Sequence, residues 1–80
     1  MQLEILTPDR KIFSGEVISV KVPGAKGQFE ILKNHAPLIS ALVPKGQVRV
    51  ITAGNKTEYF ETKGGVVEVL KDQIIILTEA

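Results

Sequence analysis

Residues 23–42 read P-G-A-K-G-Q-F-E-I-L-K-N-H-A-P-L-I-S-A-L, and this stretch organises the rest of the chain. Gly24 and Gly27 permit positive φ or a close approach of backbone, and Pro37 holds its own φ at about −65°. The sequence therefore predicts two turns that bracket one short strand over residues 28–32.

The first of these turns is the most distinctive surface that the sequence offers. Gln28 and Phe29 are expected at the edge of this turn, where the strand begins. Phe29 is by default a core aromatic, and its place beside a glycine-flanked tip makes a contact residue the alternative. His35, the only histidine, is expected either to bond nearby backbone or to face a partner, while Asn34 tolerates left-handed geometry.

The chain on both sides of this stretch alternates between apolar and polar residues at the period of a β-strand. Strands are predicted at residues 2–6, 11–13, 16–22, 38–43, 47–52, 57–62, 66–70 and 74–78. Ile18, Val20 and Val22 are expected to share one face, and Gly64-Gly65 is expected to form a turn or a bulge. Short strands between frequent turns predict a small all-β sandwich or barrel.

Composition limits the class of protein. With 80 residues, 44% of them hydrophobic and none of them Trp, the chain is expected to fold as one domain over residues 1–80 with a core of Val, Ile and Leu. The absence of cysteine excludes a disulfide framework and thiolate metal sites. The N-terminus lacks a signal-peptide core, so a soluble, cytoplasmic protein is expected.

Two further features concern partners. The formal net charge is +1 and the signs are mixed along the chain, so the basic stripe of a nucleic-acid module is missing. The apolar run at residues 74–77 is too short to span a bilayer, and it predicts either apolar surface that meets a partner or a strand covered on both sides by the domain itself.

Signals for catalysis are weak. A Ser/His/Asp arrangement would have to use His35 as its base, and no serine lies in a G-x-S-x-G turn. A lone histidine gives little support to a metal site, and P-G-A-K-G does not match a phosphate-binding loop. We therefore predict no active site, no metal site, no nucleotide site and no cofactor.

Three motifs in order carry a resemblance. F-S-G at residues 13–15, H-A-P-L at residues 35–38 and G-G-x-x-E-V at residues 64–69 resemble the N-terminal domain of the epsilon subunit of the rotary proton ATP synthase. The resemblance extends over essentially the whole chain. It implies a β-sandwich of about ten short, mostly antiparallel strands.

The resemblance also implies a function. The protein would be a non-catalytic central-stalk subunit that links the gamma subunit to the c-ring, reaches the catalytic alpha/beta head through the complex, and couples proton transport to ATP synthesis. It would be peripheral, at the cytoplasmic face of the inner membrane, held there only through the complex. By resemblance, the gamma interface contains Thr7, His35, Ala36, Pro37 and Ile39, and the c-ring interface contains Lys26, Gly27, Gln28 and Phe29.

The chain departs from the family pattern in two places. Gln28 replaces a usual acidic residue and Lys33-Asn34 replaces a Pro-Gly turn, which implies a less ionic c-ring contact, more apolar through Phe29. Epsilon subunits usually continue into a helical hairpin; if Ala80 were the natural end, inhibition and nucleotide sensing by that hairpin would be unavailable. The alternative function is a free-standing small β-barrel that binds a ligand or an oligonucleotide.

Overall fold

The computed structural model describes residues 1–79 and contains only β-strands, turns and loops. Its seven strands are β1 (Gln2–Leu6), β2 (Lys11–Gly24), β3 (Gly27–Ile31), β4 (Leu38–Ala41), β5 (Gly46–Thr52), β6 (Thr57–Leu70) and β7 (Gln73–Glu79). These strands pair antiparallel, except that β1 and β7 run parallel. The all-β prediction is confirmed. Within residues 1–79 no helix is long and apolar enough to cross a membrane.

Two long strands reduce the nine segments predicted from the sequence to seven strands, fewer than the ten or so that the resemblance implied. β2 and β6 are each 14 residues long, and each passes from one sheet of the sandwich to the other. The first part of β2 pairs with β1 and its second part with β5 and β3. Similarly, β6 pairs first with β5 and then with β7 and β4. Segments predicted separately around Ser14-Gly15 and Gly64-Gly65 are therefore continuous strands.

The pairings define two sheets with the core between them. The first sheet has the order β2-β1-β7-β6-β4 and the second has the order β3-β2-β5-β6. Only valine, isoleucine and leucine form the buried cluster, as the composition predicted; it contains Leu3, Ile5, Val17, Val20, Val22, Ile31, Leu42, Val48, Val50, Val67, Val69, Ile74 and Ile76. Phe13 and Phe60 meet edge to face against this core, with ring centroids 5.4 Å apart.

A bulge in β2 corrects one prediction. The pairing with β5 shifts between Val17 and Ser19, so Ile18 is an extra residue in β2. Val17 is consequently buried and Ile18 is 48% exposed. The expectation that Ile18 shares the inner face with Val20 and Val22 is wrong, because one inserted residue reverses the side to which the preceding side chains point.

A second bulge lies in β6, where a turn or a bulge was predicted. The pairing with β7 shifts between Lys63 and Val66. Gly64 and Gly65 have φ of 59° and 106°, values that L-residues rarely adopt. A Cβ on Gly65 would overlap the carbonyl oxygen of Leu77 in the neighbouring strand. The bulge therefore requires glycine there, and it sets which side chains of the following strand face outward.

Candidate docking surfaces

The β2–β3 connection forms an exposed hairpin tip, which comprises residues 25–28. A Cβ on Gly24 would lie 2.7 Å from the Gly27 carbonyl oxygen, and Gly27 has a φ of 129°. Both glycines are thus needed for so tight a reversal. Lys26, Gly27 and Gln28 are exposed together, so the structure groups three of the four residues that the resemblance assigned to the c-ring.

Phe29 lies just behind the hairpin tip. It pairs with the fully buried Val22, is itself half-buried, and packs against the core. Its ring covers Gly24, since a Cβ added to Gly24 would lie 2.9 Å from the Phe29 Cε1 atom. The ring centroid is also 6.5 Å from that of His35. Most of the exposed tip is consequently polar backbone with the Lys26 and Gln28 side chains.

Backbone hydrogen bonds fix the hairpin tip to β4. The Ala25 N–H donates to the Ala41 carbonyl at 2.8 Å, and the Val43 N–H donates to the Pro23 carbonyl at 2.9 Å. An antiparallel bridge joins Gly24 to Leu42 between these bonds. Because these bonds join residues 23–25, which lead into the tip, to β4 and the two residues after it, the tip cannot move relative to β4 without breaking them.

The H-A-P segment forms the loop between β3 and β4. Asn34 has a φ of 68°, and the His35 N–H donates to the Leu32 carbonyl at 3.1 Å, closing a turn. The His35 Nδ1–H donates to the Ala36 carbonyl at 2.7 Å, as the backbone-bonding interpretation predicted. His35, Ala36 and Pro37 line a surface cleft of about 600 Å³ that the β6–β7 turn closes on its other side.

The outer side of the first sheet is unusually apolar, and we call it the apolar face. Strand register places the following side chains on it: Leu6, Ile39, Val66, Leu70, Ile75 and Leu77. Ile39 is 73% exposed, the highest value among the exposed large hydrophobic residues. Leu77 is 47% exposed, so the domain itself does not cover the run at residues 74–77 on both sides, and the other alternative, an apolar surface available to a partner, is the one that fits. A sheet face with this many outward apolar side chains is typical of a surface that meets another protein.

Of the five residues assigned by resemblance to the gamma interface, one lies on this apolar face and four lie at its two ends. Ile39 lies on it, at the edge strand β4. Thr7 follows β1 and lines an apolar cavity of about 270 Å³ with Leu6, Val66 and Leu77. Leu6 lies in the same row across the sheet as Ala41, which is bonded to the hairpin tip, so Thr7 lies at the hairpin-tip end of the apolar face. His35 lies at the opposite end of this face.

The outer side of the second sheet differs in chemistry. Glu30, Lys21, Arg49 and Tyr59 follow one another across four strands, and we call this row the polar face. An Arg49 Nη2–H donates to Glu30 Oε2 at 3.0 Å, and the Ser19 hydroxyl donates to the same oxygen. The Glu30 carboxylate and the Arg49 guanidinium are thus already paired, so the polar face resembles an ordinary solvated surface more than a docking surface.

Sequence reasoning missed some residues of the apolar face, notably Val66 and Leu70, and it also missed the carboxylate of Glu68 that lies between them. Ile75 has Glu4 opposite it on β1 and Glu68 opposite it on β6. The motif G-G-x-x-E-V contains Glu68, but its sidedness depends on the glycine bulge, which alternation alone does not reveal. In residues 1–79 no group of three or more His, Asp or Glu side chains is placed to hold a metal ion.

Comparison with known proteins gives a consistent result. The family model described as the ATP synthase delta/epsilon chain β-sandwich domain matches residues 1–80. The ATP synthase epsilon chain of Chlorobium limicola is 45% identical over 78 residues, covering 98% of this chain and 88% of that relative. The epsilon chain of Dichelobacter nodosus is 44% identical, with 98% of this chain and 54% of that relative covered. The chain therefore spans most of some relatives and about half of others.

Solved structures give the same picture of the fold. A chain in the cryo-EM structure of the Euglena gracilis mitochondrial ATP synthase, comprising OSCP, F1 and c-ring, matches with a TM-score of 0.87 and 25% identity, covering 98% of this chain and 49% of that one. A chain in the Tetrahymena thermophila mitochondrial ATP synthase central stalk and c-ring matches with a TM-score of 0.79, covering 100% of this chain and 63% of that one. Its 18% identity shows the fold alone.

Proposed function

This chain belongs to the β-sandwich family of ATP synthase delta and epsilon chains, and from that premise we propose that it is a non-catalytic subunit of the central stalk. In this function it links the gamma subunit to the c-ring and contributes to coupling proton transport with ATP synthesis. The observation that carries the proposal is the family match over residues 1–80. The catalytic head would contact it only through the complex.

Two surfaces support a linking function. The hairpin tip offers a compact polar contact, suited to the polar loops of a ring that emerges from a membrane, through Lys26, Gly27 and Gln28 with Phe29 behind them. The apolar face offers the larger, drier contact that a permanent subunit interface needs, and we assign it to gamma. His35, Ala36, Pro37 and Thr7 border this contact, and Ile39 is its most exposed apolar side chain.

The connection between these surfaces suits the transmission of torque. The bonds from Ala25 to Ala41 and from Val43 to Pro23, together with the Gly24–Leu42 bridge, join the hairpin tip directly to the strand that carries Ile39. β4 in turn pairs with β6, which continues into the other sheet. A load applied at the tip is consequently resisted by several hydrogen bonds in parallel and by a core of β-branched side chains.

Absence of an active site is part of the proposal. His35 is the only histidine, and within residues 1–79 no serine or threonine hydroxyl is hydrogen-bonded to its ring, so the paired base and nucleophile of a hydrolytic site are not assembled there. The protein would lie at the cytoplasmic face of the inner membrane, associated with it only through the complex.

The test is affinity purification of a tagged copy from membranes of the source cell, followed by intact mass spectrometry of the co-purifying chains. We expect a gamma-sized chain, the catalytic head and the c-ring subunit in one assembly. Recovery of the tagged chain alone, or with nucleic acid, would contradict the stalk function and favour a free-standing β-module.

A further inference from the structure

Glu68 is a carboxylate in the middle of the apolar face. It lies on β6 with Ile39 opposite it on β4 and Ile75 opposite it on β7. The next residues on the same side of β6, Val66 and Leu70, are also apolar. Glu68 is therefore surrounded on four sides by hydrocarbon and is itself half-buried before any partner binds.

The charge of Glu68 has no counterpart within the described part of the chain. The ion pairs formed by residues 1–79 do not include it, nor does its carboxylate accept a side-chain hydrogen bond there. Glu4, the other carboxylate of the same row, is about 10 Å away, since neighbouring strands lie about 4.8 Å apart. Glu4 differs because the Lys11 ammonium lies 2.9 Å from its Oε2.

A lone carboxylate constrains what can cover the apolar face. When a partner excludes water from this surface, an unpaired charge loses several kcal/mol of hydration. The cost is offset only if the partner supplies a cation at the same point. An arginine suits best, because its planar guanidinium bonds both carboxylate oxygens at once.

We infer that Glu68 is a specificity-determining residue of the docking surface, and that it pairs with an arginine or lysine set among apolar side chains on the gamma subunit. This inference rests on the proposed function, which identifies gamma as the partner. It adds the chemistry of the contact: a hydrophobic interface with one buried ion pair near its centre. Isoleucines flanking the pair would exclude water from it, as neighbouring contacts do around an interfacial hot spot.

The experiment measures the affinity of the full chain for the purified gamma subunit of the same source as a function of salt. Glu68→Gln keeps the size of the side chain and removes its charge. We expect at least about tenfold weaker binding and a smaller dependence on ionic strength. The matched control is Glu61→Gln, which makes the same charge change on the opposite sheet, where Glu61 accepts a hydrogen bond from the Gln47 amide at 2.9 Å; it should stay within twofold of wild type.

A second variant, Glu68→Leu, distinguishes the two cases more sharply, because they predict opposite changes in affinity for gamma. If gamma presents a cation, leucine leaves that cation buried and unpaired, so binding weakens further. If gamma presents only apolar groups, leucine removes a desolvation cost and binding tightens, which overturns the inference. An unchanged affinity for Glu68→Gln overturns it as well. Failure of the wild-type chain to bind gamma would instead contradict the proposed function itself.

Discussion

Two adjacent glycines allow the geometry of the β6 bulge to be tested quantitatively. Gly64 and Gly65 both have positive φ, but an added Cβ on Gly64 would meet no heavy atom within 4 Å, whereas one on Gly65 would overlap the Leu77 carbonyl oxygen and lie 2.9 Å from its carbon. Alanine at Gly64 thus reports backbone strain alone. Alanine at Gly65 reports strain together with a clash against backbone.

The magnitudes separate the two variants clearly. Left-handed geometry costs a non-glycine residue about 1–2 kcal/mol, and the lower entropy of the unfolded alanine chain returns about 0.4–1 kcal/mol. Gly64→Ala should therefore lose about 1 kcal/mol. Gly65→Ala adds overpacking, at about 1–3 kcal/mol, and a disturbed hydrogen bond between β6 and β7, at about 1 kcal/mol. Its total loss should be about 3–5 kcal/mol.

The assay is urea and thermal unfolding followed by circular dichroism. For a domain of this size about 1 kcal/mol corresponds to about 4–8 °C in Tm. The Tm of Gly64→Ala should fall by that amount, whereas the Tm of Gly65→Ala should fall by at least about 12 °C, or this variant should fail to fold, since such a domain has only about 4–12 kcal/mol of stability in total. Equal stability of the two variants would refute the reasoning, because it would mean that β7 does not pass directly over Gly65.

Three other predictions follow from neighbouring positions. Ile76→Ala removes a fully buried side chain and should lower the free energy of unfolding in urea by about 2–5 kcal/mol, whereas the adjacent Leu77→Ala should lower it by under about 1 kcal/mol and mainly weaken gamma binding. Equal stability losses would contradict the description of β7 as buried on one side and exposed on the other. Glu30→Gln weakens the partly exposed pair with Arg49 and should cost no more than about 1 kcal/mol, with an unfolding midpoint less sensitive to salt than that of wild type. Gly24→Ala pushes on the Gly27 carbonyl oxygen and on the Phe29 ring and should cost about 1–3 kcal/mol; a wild-type Tm would show that neither group lies against this glycine.

Much of the fold follows from local patterns in the sequence. The run L-E-I at residues 3–5 and the alternation in residues 47–52 predicted their strands because alternating side chains of one chain segment already determine its two faces. Gly24 and Gly27 likewise predicted the hairpin, because the backbone of so short a turn excludes larger residues. These features depend on residues close in sequence.

The remaining features depend on contacts between distant residues. Ser14-Gly15 is typical of a turn, yet β2 runs straight through it because Leu3 and Glu4 pair with these two residues. Ile18 continues the apolar alternation, and only its mismatch with β5 turns it outward. For the same reason the place of Glu68 on the apolar face depends on pairing with β4 and β7, which no local pattern specifies.

The central claim is that one rigid domain contacts two different partners through two different surfaces. The chain contains no cysteine, so single-cysteine variants carrying a short photoactivatable cross-linker report one position each in the assembled complex. Gln28→Cys probes the hairpin tip, Ile39→Cys the apolar face, and Tyr59→Cys, at a residue 58% exposed on the polar face, is the matched control. We expect Gln28→Cys to cross-link to the c-ring subunit, Ile39→Cys to gamma, and Tyr59→Cys to neither. Cross-linking of Gln28→Cys and Ile39→Cys to the same chain, or of Tyr59→Cys to gamma, would contradict the account.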